Sequence, residues 1–132
     1  MNIDNSHLGT PGDLRIPPHP DSGSNDADLE PWKLLSESMS SQSGLAILQL
    51  VHTGRQSVRF AGRWPWTPPL APSPVRVSTN PKSWIGTAVE RVAFQVPKEM
   101  SGADIRRTIR QFVHGANVAR LSGFHGVQLH AR

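Results

Sequence analysis

Residues 101–130 read SGADIRRTIRQFVHGANVARLSGFHGVQLH, a helix that runs into a strand. Ser101 supplies a side-chain acceptor for the helix start. Asp104, three residues on, makes a variant of the capping box, its carboxylate reaching back to the cap N–H. Ile105, Ile109, Phe112, Val113 and Ala116 recur at helical spacing and predict the buried face, with Arg106, Arg107 and Arg110 facing out. Gly123 is the expected left-handed stop. This spacing predicts a helix over 102–121 and a strand over 124–130.

Upstream, Leu45 to Val51 (LAILQLV) is a continuous apolar run broken only by Gln49. A run this short, after a glycine, predicts a strand at 45–51 buried on both faces, as in a parallel sheet covered by helices. An earlier helix is predicted at 29–41. Asp28 is its candidate N-cap, Glu30 suits its positive end, and Pro31 is tolerated in the first turn. Trp32, Leu35 and Met39 form its apolar stripe. The order helix, strand, long connection, helix, strand implies an α/β unit with two parallel strands joined by a right-handed crossover.

The connection, residues 56–100, holds seven prolines and is expected to be a long Pro-rich loop. A short strand is predicted within it at Val89–Val96, and Trp64, Trp66 and Trp84 are expected to pin it down. Residues 1–28 read as an irregular N-terminal segment, because Pro11-Gly12, Pro17-Pro18 and Asp21-Ser22-Gly23-Ser24 are breaker signals.

Composition removes several classes of function. The chain has no cysteine, which excludes disulfides, zinc–thiolate sites and thiol catalysis. No apolar run approaches the roughly 18–20 residues of a membrane span, and the N-terminus has neither the basic start nor the apolar stretch of a signal peptide. A cytoplasmic protein without membrane contact is expected. The net charge of +4 is uneven: residues 45–132 carry twelve bases and three acids. A basic half can serve nucleic acid. Here the bases are scattered and no aromatic stacking motif lies among them, so solvated surface is the favoured reading.

Two polar groups sit where apolar strands end, the place where parallel α/β proteins bind ligands. Gln49 lies near the end of the first strand, with His52, Gly54 and Arg55 beyond it; Gln128 and His130 close the second. Strand alternation puts Ile47, Gln49 and Val51 on one face, and Gly126, Gln128 and His130 on one face of the other strand. Val127 and Leu129 then face helices. Both strands can thus aim a polar side chain at one crevice, although a strand glutamine is often only a hydrogen-bonded core residue. His125 and His130 fall on opposite faces and make no metal pair. No glycine pattern of a phosphate loop and no nucleophile elbow is present.

Several segments then resemble one family in order. Gln49-Leu50-Val51-His52-Thr53-Gly54-Arg55 resembles the Gln-Leu-x-His-x-Gly-Arg of the third barrel strand in relatives of old yellow enzyme. Ala71-Pro72-Ser73 resembles the Ala-Pro-Ser that follows. Pro97-Lys98-Glu99-Met100 with Asp104-Ile105 resembles the family's approach to its next helix, and Phe112-Val113, Ala116 and Ala119 match the pattern within it. Gly123 to His130 resembles the family's Gly-Phe-Asp-Gly-Val-Glu-Leu-His. Asn2 to Leu14 is similar to the stretch after the second strand in fungal-type members.

The resemblance implies a partial TIM barrel, an eight-stranded β/α barrel that spans about 250 residues when whole. The chain would cover the end of its second strand to its fourth, as one incomplete flavin oxidoreductase domain over 1–132. The implied activity is that of an FMN-dependent NAD(P)H oxidoreductase, passing hydride from reduced flavin to an activated alkene. The implied roles are Gln49 as a cofactor-binding group at the flavin pyrimidine and His130 as a substrate-binding group at a small molecule's carbonyl oxygen. No complete catalytic set is expected: the family continues His-x-x-His-Gly-Tyr, this sequence reads His130-Ala131-Arg132, and it contains no tyrosine. Gln128 stands where the family often has a carboxylate. The chain alone is expected to be inactive and not to retain FMN. Its partners would be the remaining barrel segments, or further copies joined through open strand edges. Outside the resemblance, two other classes remain: a non-enzymatic module pairing with a larger barrel chain, and a basic nucleic-acid binder.

Overall fold

The computed structural model describes residues 29–59 and 66–131. Asp28, the segment 1–28 and Trp64 lie outside the described residues. The elements in chain order are α1 (Glu30–Ser40), β1 (Ile47–His52), a single 3₁₀ turn (Gly54–Gln56), β2 (Leu70–Ala71), α2 (Trp84–Ala93), β3 (Lys98–Glu99), α3 (Gly102–Leu121) and β4 (Gly126–Ala131).

The two expected strands pair in parallel, as the helix–strand order implied, from Ile47 opposite Gly126 to His52 opposite Ala131. Both begin two residues later than the sequence suggested. Burial in β1 alternates: Leu48, Leu50 and His52 are buried, whereas Ile47 and Gln49 are exposed. Expected burial on both faces is therefore met on one. The covering layer is α1 and α3, and the core is Trp32, Ala46, Leu48, Leu50, Val118, Ala119 and Phe124. Leu35, Phe112 and Ala116 pack against its margin.

The helices bury narrower faces than their apolar residues suggested. In α1, Trp32 is buried but Met39 is exposed; the buried neighbour is Ser36. Its hydroxyl donates to the Lys33 carbonyl at 2.9 Å and to the Ser122 carbonyl, tying α1 to the end of α3. The N-cap of α1 is Leu29, in a helical conformation and without a side-chain bond. In α3, Phe112, Gly115, Ala116, Val118 and Ala119 face the core, while Ile105, Ile109 and Val113 are exposed. Small residues win that face because they let the helix approach β1 closely. Gly123 has φ +82°, and a Cβ there would lie 3.3 Å from the Ser36 hydroxyl, so this stop needs glycine twice over. Val127 and Leu129 share the outer face with Leu48 and Leu50 but are exposed, so the helices cover that face less fully over β4 than over β1.

The long connection is more regular than its prolines implied. The strand predicted at Val89–Val96 is instead helix as far as Ala93. Ser83 caps α2 by accepting from the Gly86 N–H at 3.0 Å. The helix ends at Phe94, whose neighbour Val58 forms an antiparallel bridge with it, three residues before Pro97. Glu90 of α2 accepts bonds from the hydroxyl and N–H of Thr79. These bonds, the hydroxyl's first, hold its carboxyl below the usual range, helped by Ser78 and Arg76. Short strands β2 and β3 then pair in parallel, Leu70 with Lys98 and Ala71 with Glu99. Trp66 and Trp84 do not pin the connection: they are 83% and 80% exposed.

The capping box of α3 forms as its spacing predicted. Ser101 Oγ accepts from the Asp104 N–H at 3.2 Å, and the Asp104 carboxylate accepts the Ser101 N–H at 3.0 Å. The same carboxylate takes the Ser101 hydroxyl at 2.7 Å, with Arg107 at 3.0 Å and Lys98 at 3.5 Å. The hydroxyl bond chiefly, then the backbone N–H, Lys98 and Arg107, hold the Asp104 carboxyl below its ordinary range. Replacing Ser101 by Ala should destabilise the chain by about 1 kcal/mol, within the range of about 0.5–2 kcal/mol for lost caps, measured by denaturant unfolding at neutral pH. A folded-state value depressed relative to the unfolded one gives stability that is fully present above the ordinary carboxylate range and lost as pH falls from there through the lowered folded-state value. Acid unfolding of Asp104→Ala should therefore lack part of the decline seen in the parent chain; identical acid limbs would mean that the box carries no such linkage.

Candidate functional site

β1 and β4 place the candidate side chains by register. Gln49 stands opposite Gln128 and Val51 opposite His130, so Gln49, Gln128 and His130 share the face that α1 and α3 leave uncovered. Gln49 Nε2 donates to Gln128 Oε1 at 3.0 Å across the two strands. His130 is half-buried one alternation further along β4. The sequence put both glutamines on this face but did not join them, since a cross-strand bond requires the register.

The other end of the pair is held by His125. Its N–H donates to the Ala46 carbonyl at 2.8 Å, and its Nδ1 accepts the Ala46 N–H at 3.2 Å. Accepting at Nδ1 assigns the neutral ring proton to Nε2. Sequence reasoning tested His125 only as a metal ligand and missed this role. The signal was its position where the family pattern has aspartate, another acceptor of backbone N–H.

Beyond β1 the chain turns through Gly54, which is buried with φ +53°, and Arg55 is exposed. His52 is buried on the opposite face from Gln49, so it does not join the site. Among the described residues there is no group of three or more histidines and acids able to hold a metal. No described helix is long and apolar enough to cross a membrane.

An exposed strand face with two amides and an imidazole suits a flat, neutral, hydrogen-bonding ligand better than a metal or a free phosphate. An amide both donates and accepts, as the carbonyl and imide N–H of a pyrimidine edge require. The donor set thus fits the pyrimidine side of a flavin. Its phosphate would need an anion site, and no phosphate-loop glycine pattern exists in the sequence.

Fold and site together define a consecutive strand–helix–strand portion of an α/β barrel with polar groups on the inward strand face. Residues 19–132 match the NADH:flavin oxidoreductase / NADH oxidase family, and the chain belongs to it. It is 33% identical over 133 residues to an NADH-dependent flavin oxidoreductase of Neonectria sp. (strain DH2), covering 99% of this chain and 17% of that protein. A second, from Talaromyces variabilis, is 33% identical over 135 residues, covering 99% of this chain and 31% of the relative. The chain therefore spans less than a third of the curated relatives it matches. Morphinone reductase superposes with a TM-score of 0.70 at 22% identity, over 97% of this chain and 33% of that one. An old yellow enzyme homologue from Zymomonas mobilis gives 0.65 at 23% identity, over 97% and 32%. The fold is that of part of an old yellow enzyme barrel.

Proposed function

We propose that these residues form the third- and fourth-strand portion of an FMN-dependent NAD(P)H oxidoreductase of the old yellow enzyme type. In this reading Gln49 binds the flavin pyrimidine and His130 binds the carbonyl oxygen of a small-molecule substrate. The observation that carries it is the shared uncovered face: register places Gln49 and His130 on neighbouring strands, at diagonal positions and aimed the same way. Bound FMN would supply hydride to the substrate. His130 would donate a hydrogen bond to the substrate oxygen and favour the negative charge that develops there. Gln49 would orient the ring beside it.

The test places these residues in a whole barrel whose other strands are supplied by a relative. Gln49→Ala should then lower the flavin retained through purification. His130→Ala should leave flavin content unchanged and weaken binding of a phenol ligand, read from its flavin charge-transfer absorption. Removing one good hydrogen bond to a charged partner, worth about 1.5–3 kcal/mol, predicts a loss of roughly ten- to a hundredfold. Unchanged flavin content in the first variant and unchanged affinity in the second would reject the two assignments.

A second reading is favoured by the uncovered apolar surface. Val127 and Leu129 on β4, and Ile105, Ile109 and Val113 on α3, are all exposed, and among the described residues β1 and β4 pair only with each other. Such a chain would pair with a larger barrel chain without catalysing anything itself. Recovery of the chain in a stable complex with a barrel protein, with unaltered turnover by that protein, would favour it.

A further inference from the structure

We propose that α2 is an interfacial helix that lays its apolar face on an anionic lipid surface. The helix is turned inside out. Ile85, Val89 and Val92 recur at helical spacing with Trp84 beside them, and each is more than half exposed. No residue of α2 is buried, and its inward arc is Gly86, Thr87, Glu90 and Ala93, all half-buried. Specific contacts hold that arc inward. A Cβ at Gly86 would fall 2.9 Å from the Pro81 Cβ, so the helix lies too close there for any side chain. The Glu90 carboxylate accepts from the hydroxyl and N–H of Thr79, and the Arg59 N–H donates to the Ala93 carbonyl at 2.8 Å. The outward apolar face is thus set by packing on the polar one.

Charge identifies the occupant. The connection carries Arg59, Arg63, Arg76, Lys82, Arg91 and Lys98 against two acids, Glu90 and Glu99. Lys82 and Arg91 stand exposed near the two ends of α2, and its one acid, Glu90, is engaged by Thr79. An aliphatic face with an indole, set between exposed bases, complements hydrocarbon beneath anionic headgroups. The indole suits that boundary, being apolar in its body and polar at its N–H. A nucleic acid would pair with the bases and leave the aliphatic side chains in water. A second copy on the same face would set base against base whichever way its helix ran. The lack of a spanning run and of a signal peptide, on which no membrane contact is expected, does not bear on a helix that lies flat on the surface. Nor does the proposal depend on the flavin reading of β1 and β4.

The 132-residue chain should co-sediment with vesicles of phosphatidylcholine and phosphatidylserine but not with phosphatidylcholine alone, and its tryptophan emission should shift to the blue. Val89→Asp should lower the partition roughly tenfold or more, by removing one aliphatic anchor and setting a charge in its place. Lys82→Glu combined with Arg91→Glu should weaken binding to the anionic vesicles and remove its salt sensitivity. All three residues are exposed, so circular dichroism and the denaturant midpoint should match the parent. Ile109→Asp, on the exposed face of α3, should bind as the parent does. No sedimentation with either vesicle would overturn the proposal, as would equal binding to both. Binding that survives Val89→Asp would overturn it too, as would binding to RNA in place of vesicles. Self-association without lipid, abolished by Val89→Asp, would assign the face to a second copy instead. Loss of partition in a whole barrel whose other strands are supplied by a relative would assign it to the barrel.

Discussion

A polypeptide of these 132 residues, purified without added flavin, is expected to be colourless, and titration with FMN should show no stoichiometric binding at micromolar concentrations. The ring would meet one wall of a site. Gln49 offers a few hydrogen bonds, each worth about 0.5–1.5 kcal/mol net, whereas micromolar affinity requires roughly 8 kcal/mol after association costs. The phosphate would find no preorganised cradle: barrels of this kind build it from the loops after their last two strands. The exposed arginines of α3, Arg106, Arg107 and Arg110, can attract a phosphate only through screened solvent. An absorption spectrum of the purified chain and a fluorescence titration decide the matter. A yellow protein would mean that the chain assembles a complete site, alone or with copies of itself.

Leu50→Ala should destabilise the chain by about 2–5 kcal/mol, whereas Leu129→Ala should change stability by less than about 0.5 kcal/mol. The two leucines stand opposite each other in register, on the same face of the strand pair. They differ only in what lies above them. Leu50 is fully buried under α1 and α3, and truncating it removes apolar contact and leaves a cavity between Trp32, Val118 and Ala119. Leu129 is 64% exposed, so little burial is lost. Domains of this size are stable by only about 5–15 kcal/mol, so the first variant should lower the denaturant midpoint severely. In a completed barrel a helix over β4 would raise the Leu129→Ala cost toward that of Leu50→Ala. Equal and large costs in the 132-residue chain alone would mean that another surface already covers β4.

What could be read in the sequence was what local rules dictate. The capping box at Ser101 and Asp104, the left-handed Gly123 and the parity of Gln49, Gln128 and His130 each follow from spacing within a few residues. The misreadings share a different cause. Val89, Val92, Phe94 and Val96 are β-favouring types, yet Ser83 caps a helix whose residues Ile85, Val89 and Val92 recur at helical spacing, and the cap and periodicity prevail over propensity. In α3, hydropathy favoured Ile105, Ile109 and Val113, but close approach to β1 favoured Gly115, Ala116 and Ala119. Val127 and Leu129 have the composition of buried residues, yet among the described elements they stay exposed. The Gln49–Gln128 bond could not be read because alternation gives a face and not a register.

The two bonds between His125 and Ala46 act at a distance. Side chains on a strand alternate with a period of two, so sliding β4 by one residue along β1 would send Gln128 and His130 to the helix side and bring Val127 and Leu129 to the inner one. No gradual loss of geometry separates those states; the inward surface would turn from polar to greasy in one step. The ring of His125 recognises a single amide, that of Ala46, and the backbone N–H beside it grips the same residue's carbonyl. This pair at the foot of the strands is a latch that decides which surface the mouth presents, some five residues away. The polar surface at the far end of the strands therefore depends on an acceptor at position 125, far from any ligand it would meet.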